Sequence, residues 1–182
     1  GYLELKATGQ GAWEGFVGED LTDAIYLLDV DGRRTFDPWA KRLSFDAGVV
    51  CGPAELADFK DGFVTPAPED LVIVEAHVRD LAANAPVKAL PEERRGFTGL
   101  RRWVESPEFY LHHLGVNCVE LQPVQECDNV TATDYHWGYM TNNYFSPESG
   151  YSLAPESASG VRELQALVKA FHARGIAVLL DV

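Results

Sequence analysis

The chain has 182 residues, 46% of them hydrophobic and 24% charged, with a net charge of −13. This suffices for one large domain with a sizeable core, and the balance is globular rather than disordered. Such acidity argues against non-specific nucleic-acid binding, which needs a basic footprint. No run approaches the roughly 18 apolar residues of a membrane span. The opening GYLELKATGQG lacks the basic and apolar regions of a signal peptide. Cys51, Cys118 and Cys127 are dispersed, with no C-x-x-C pair and no zinc spacing, and they fit a reducing compartment such as the cytoplasm or a plastid.

Residues 1–50 read as the end of a β domain. Residues 24–30, AIYLLDV, form a strand candidate, Asp31-Gly32 is a two-residue hairpin signal, and residues 33–36 return from it. Asp37-Pro38-Trp39 breaks the pattern, and Trp39 reads as an aromatic packed between two domains or, less simply, a sugar-facing platform. Residues 51–70, with Gly52-Pro53, Gly62, Pro66 and Pro68, read as a linker. Residues 71–78, LVIVEAHV, read as a central strand whose C-terminal end is crowded by Glu75, His77, Arg79 and Asp80, an ion network in the simplest reading. The charged run Glu92-Glu93-Arg94-Arg95 reads as a solvated face, and residues 97–100 as a short local anchor. Ser106-Pro107-Glu108 carries helix-start chemistry, which predicts a helix over 109–114 stopped by Gly115.

Residues 116–121 form the next buried strand, with Cys118 as apolar filler, and a long loop over 122–151 follows. Val161, Leu164, Leu167, Val168 and Phe171 then make one helical stripe over 160–174, with Ser159 as N-cap and Gly175 as the stop. Residues 176–182 close the sequence as a strand apolar enough to be covered on both faces. Strand, loop, helix, strand is the order of a parallel α/β sheet, whose strand ends carry the site. A doubly wound α/β domain has the same order but leaves the leading hairpin and the aromatic loop without a purpose.

That loop holds Tyr135, His136, Trp137, Tyr139, Tyr144, Phe145 and Tyr151 beside Asn129, Asn142 and Asn143. Aromatic faces for C–H surfaces and amides for hydroxyls suit a neutral polyhydroxylated ligand. Glycine-rich phosphate cradles and nucleophile elbows are missing from the sequence. Glu126, Asp128 and Asp134 match no recognised calcium loop, so no metal and no cofactor is expected. Asn129-Val130-Thr131 has the form of a glycosylation acceptor and reads as chance.

The run YHWGYMTNNYFSPESGYS, residues 135–152, resembles the loop after the second barrel strand of isoamylase- and pullulanase-type debranching enzymes of the α-amylase superfamily. VEAHVRDLA, GVNCVELQPV and GIAVLLDV resemble the first three strands of that barrel, and DGRRTFDPWAK resembles the exit from the carbohydrate-binding-like β-sandwich before it. The resemblance implies a partial (β/α)8 barrel over 71–182, preceded by the tail of an all-β sandwich over 1–50. It implies hydrolysis of α-1,6 branch linkages in a glycogen- or starch-like glucan, with retention through two carboxylates about 5–5.5 Å apart.

By the same resemblance Tyr139 is the aromatic that stacks on the sugar, Trp137 and His136 line or support that region, and Asp181 is a strand-end acid that organises it. The catalytic Asp, Glu and Asp of such enzymes follow later strands, so no residue here is expected to be catalytic. A barrel of this kind takes about 250 residues and three strands cannot close one. The chain is therefore expected to be part of a longer protein and unstable without the rest of the barrel, in cis or as a second chain. A branching or transferase enzyme of the superfamily, or a non-catalytic glucan-binding subunit, are the alternatives.

Overall fold

The structure, a computed structural model, describes residues 1–57, 59–129, 131 and 133–182. The first fifty residues form short antiparallel strands: β1 (Lys6–Gly9) with β2 (Ala12–Glu14), β4 (Leu28–Val30) with β5 (Arg33–Thr35), and β3 (Ile25–Tyr26) and β6 (Leu43–Ser44) on either side of β7 (Ala47–Val49). Asp31 (φ 52°) and Gly32 (φ 78°) both lie in the left-handed region, as the predicted turn requires, and Val30 pairs with Arg33 across it. The single strand expected over 24–30 is instead split between two sheets at Leu27.

Residues 51–70 contain α1 (Pro53–Leu56) and a 3₁₀ turn at Pro68–Asp70. The central sheet is open and three-stranded: β8 (Ile73–Ala76), β9 (Cys118–Leu121) and β12 (Ala177–Leu180) lie side by side and parallel, in chain order. The rows Val74–Val119–Val178 and Ala76–Leu121–Leu180 run across it in register. Cys118 is fully buried, as expected.

The helices α2 (Val78–Ala83), α3 (Phe97–Glu105) and α4 (Gly160–Ala173) accompany this sheet, and β10 (Gln125–Cys127) pairs antiparallel with β11 (Thr141–Pro147) above its strand ends. Phe97, Leu100, Trp103 and Val104 of α3 meet Leu167 and Phe171 of α4 and Val119 and Leu121 of β9 in one core. Phe109 is wedged against both helices, 5.6 Å from Trp103 and 6.1 Å from Phe171 between ring centroids. Each such side chain contributes about 1.5–3 kcal/mol by leaving water.

Three expectations fail here. The helix placed at 109–114 is a 3₁₀ turn over Tyr110–Leu114, while the real helix, α3, precedes Ser106. Ser106 caps the C-terminus of α3, its N–H donating to the Trp103 carbonyl at 3.0 Å. Arg174 donates to the carbonyls of Val104, Glu105 and Ser106, satisfying the orphan acceptors of that end. Pro107 is thus a stop that reads, in sequence, as a start. The charged run at 92–95 is not all solvated. Glu93 is buried, accepting from the Leu90 N–H and Arg102, and Arg94 donates to the carbonyls of Ala83, Ala85 and Val87. The last strand is not covered on both faces, for Leu179 and Leu180 of β12 are exposed. β12 is an edge strand among the described residues.

Ser159 also differs from its expected part: its hydroxyl bonds Glu163 rather than capping the helix backbone. Arg42 ties the first fifty residues to the rest. Its side chain is fully buried, pairs with Asp23 and Glu55 at 2.8 Å each, and donates to the carbonyls of Ser157 and Ala158. Trp39 touches both parts but is not enclosed: it stacks on Phe145 at 4.8 Å and stays 68% exposed.

Candidate functional site

The three parallel strands end level with one another. The Gln122 N–H donates to the Ala76 carbonyl at 3.0 Å and the Asp181 N–H to the Leu121 carbonyl at 2.9 Å. The first residues past the strands are therefore His77, Gln122-Pro123 and Asp181, and a strip of loop, residues 135–139, lies across them. Such ends are where parallel sheets collect ligand-facing groups.

Tyr139 and Asp181 meet there, with the phenol donating to Asp181 Oδ2 at 2.5 Å. That bond, and the acids Glu75 and Glu120 nearby, push the Tyr139 phenol up to about 12, so it stays a neutral donor. Glu75 in turn accepts from Gln122 Nε2 at 2.8 Å. Trp137 and Tyr139 present exposed rings, while His136 is half-buried and enters through its backbone: its carbonyl lies 2.9 Å from His77 Nε2. Gly138 makes the strip possible. It is buried at φ +94°, and a Cβ there would stand 2.6 Å from the Pro123 carbonyl oxygen. Tyr135 closes the near end by donating to Asp80 Oδ2 at 2.9 Å.

Of the four groups at the end of the first parallel strand, Glu75 accepts from Gln122, Arg79 donates to the Asp134 carbonyl at 2.7 Å, and His77 turns inward with Nδ1 3.7 Å from Asp80 Oδ1. His77 is buried, which pulls its pKa below the ordinary imidazole value, and Tyr151 lies against it with 2.8 Å between Oη and Nε2. Burial pushes the Tyr151 phenol up.

The rest of the expected loop is ordered by a feature that sequence reasoning missed. β10 and β11 enclose two carboxylates, Glu126 and Glu148, each 1% exposed. Glu148 accepts from the N–H groups of Cys127 (2.9 Å) and Gly150 (2.6 Å), from Asn129 Nδ2 (2.5 Å) and from the Cys127 thiol (3.0 Å). Glu126 accepts from the Ser149 N–H and hydroxyl at 2.9 and 2.8 Å. Burial, and then the charge of Glu148, push the Glu126 carboxyl up to about 9. Burial also pushes the Cys127 thiol up.

Asn129 and Asn143 are likewise occupied. Asn143 is buried, accepts from the N–H groups of Phe145 and Ser146, and donates to the Asp37 carbonyl. Both brace the hairpin, and Asn143 is too buried for its expected use on a ligand, while Asn129 is half-buried and Asn142 is exposed. Their partners are in part local, such as Gly150 for Glu148 and Phe145 and Ser146 for Asn143, and in part distant, such as Cys127 for Glu148, Ser149 for Glu126 and Asp37 for Asn143, and the distant ones leave no mark in the sequence. No cluster of His, Cys, Asp and Glu able to hold a metal ion occurs among the described residues. No helix among them is long and apolar enough to cross a membrane. The Asn129-Val130-Thr131 acceptor includes Val130, which lies outside the described residues.

An open parallel α/β sheet with aromatics laid over its strand ends is a mixed fold like that of known glucan-active catalytic modules. A scan against protein-family models finds no match. The isoamylase of Flavobacterium sp. is 42% identical over 127 residues, 65% of this chain and 16% of that protein. The isoamylase of Pseudomonas amyloderamosa is 39% identical over an alignment of 217 residues that covers 96% of this chain and 26% of that protein. The crystal structure of a pullulanase from Anoxybacillus sp. LM18-11, complexed with maltotetraose, superposes with a TM-score of 0.81 at 28% identity, over 98% of this chain and 29% of that one. The chain thus spans between 16% and 29% of the length of these relatives. At the level of the family, sequence and fold match the chain to the isoamylase, pullulanase and GlgX proteins, and to no single member of that group.

Proposed function

We propose that the protein carrying these residues hydrolyses α-1,6 branch linkages in a glycogen- or starch-like glucan, and that this stretch builds one wall of its cleft. The reading rests on the similarity to isoamylases and pullulanases along nearly the whole chain. The observation that carries it to particular residues is the Tyr139–Asp181 pair at the ends of parallel strands, beside the open face of Trp137. In this reading three strands are the start of a (β/α)8 barrel, and residues 1–50 are the tail of a sandwich domain. The retaining carboxylates, about 5–5.5 Å apart, lie on strands beyond this stretch. The ring of Tyr139 stacks on the sugar undergoing attack, and Asp181 fixes its angle through the phenol hydrogen bond. Trp137 offers a second face to the chain of sugars. The excess of acid suits an uncharged polymer.

The test is made on the intact protein with amylopectin and pullulan, reading reducing ends released. Tyr139→Ala is expected to lower kcat on the order of 10²-fold, as misplacement of the reacting group does, with KM for long glucans changed far less. Tyr139→Phe, which keeps the ring and loses the bond to Asp181, falls between the two. Unchanged turnover in Tyr139→Ala removes that residue from the site. Retention on immobilised glucan with no release of reducing ends by the wild type supports the non-catalytic binding reading instead.

A further inference from the structure

His77 stands where β8 ends and α2 begins, and its two ring nitrogens have separate tasks. Nδ1 faces the Asp80 N–H at 3.4 Å, the position of an N-cap acceptor. A nitrogen that accepts carries no hydrogen, so in the neutral ring the hydrogen is on Nε2. Nε2 faces the His136 carbonyl oxygen at 2.9 Å and the Tyr151 hydroxyl at 2.8 Å. A carbonyl can only accept, so Nε2–H donates to His136, and the Tyr151 oxygen shares that hydrogen as a second acceptor.

The next peptide units are held too: Gly138 is pressed on the Pro123 carbonyl, and Tyr139 bonds Asp181. Successive points of the strip at 136, 138 and 139 are thus fixed by the residues that follow β8, β9 and β12 in turn. Trp137 projects between the first two anchors. The His77 anchor is a buried side chain, 5% exposed, that holds the strip by a hydrogen bond.

We propose that His77 is a positioning residue: by donating from Nε2 to the His136 carbonyl it sets the pose of Trp137 and Tyr139 over the strand ends. This rests on the debranching reading for its effect on turnover, but not for its effect on the strip. A buried donor aimed at one backbone carbonyl holds a loop without touching substrate, and small displacements of reacting groups are costly.

Two near-isosteric variants of the intact protein separate the tasks. His77→Asn places an acceptor where Nδ1 stood and has nothing at Nε2. His77→Gln places an amide donor near Nε2 and leaves the cap empty. The asparagine variant is expected to lose on the order of 10²-fold in kcat on branched glucan while KM stays within a few-fold, and to exchange the backbone amides of residues 136–140 faster. The glutamine variant is expected to recover most of both. Tyr151→Phe, the mildest change, removes only the competing acceptor, so exchange there stays at the wild-type rate or slows.

Wild-type exchange in His77→Asn, equal defects in the Asn and Gln variants, or faster exchange in Tyr151→Phe each overturns the proposal. If the wild type releases no sugar at all, the debranching reading falls alone, and the exchange measurement still decides His77.

Discussion

The two ends of this chain use similar alphabets and reach opposite states. Residues 1–36 carry Tyr2, Trp13, Phe16, Ile25, Leu27 and Val30, all exposed, on or between strands of two to four residues. Residues 97–180 carry Leu100, Trp103, Val119, Leu121, Leu167 and Phe171, all buried under two helices and a sheet. The difference is not apolar content. A two-stranded ribbon has no second layer to hide a face against and is marginal by itself, whereas a parallel sheet comes with its helices already in sequence. Burial follows from a neighbouring layer, and it varies even along the edge strand β12, where Ala177 is buried while Leu179 and Leu180 are exposed.

That contrast can be broken. Phe171→Ala empties the contact with Phe109 at the heart of the core and is expected to cost about 3–5 kcal/mol in chemical denaturation of the intact protein. A loss under about 1 kcal/mol would mean that the layer is not cooperative.

Glu126 gives the next effect. Its carboxyl is raised in the fold, so the folded state binds the extra proton. Stability is then fullest below the ordinary glutamate value and declines as pH climbs toward about 9. The decline is on the order of 1 kcal/mol per pH unit. Glu126→Gln is expected to flatten that slope in melting curves taken between pH 5 and pH 9, and equal slopes in both proteins would show that Glu126 is ionised when folded. Trp13→Ala sharpens the comparison from the other side. A large aromatic is removed from an exposed ribbon, and the expected change is within about 0.5 kcal/mol. A loss comparable to that at Phe171 would place a covering layer over β1 and β2.

The order of the sheet was legible because three apolar runs, spaced by one aromatic loop and one helical stripe, admit few arrangements. The hairpin at Asp31-Gly32 was legible for a local reason, since both turn residues must take positive φ. Local chemistry misled where it is ambiguous. Ser106-Pro107 ends α3 as well as it would begin a helix, and only the packing of Trp103 and Val104 decides between the two.

The site divides the same way. The aromatics at 137 and 139 were readable as residue types suited to a sugar, whereas the acid at 181 was reached only through the resemblance to the family. The meeting of Tyr139 with Asp181, forty-two positions apart, depends on three strands ending level. The sequence by itself determined the three parallel strands, the helix over 160–174, the hairpin turn at 31–32 and the run of residues that resembles the family, because these depend on spacing and composition along the chain. Only the tertiary structure decided that Glu126 and Glu148 are buried, that Asn143 braces a hairpin rather than meeting a ligand, and that His77 grips the strip. Each of those depends on partners brought close by folding, and a hydrogen bond across tens of residues leaves no periodic trace in the chain.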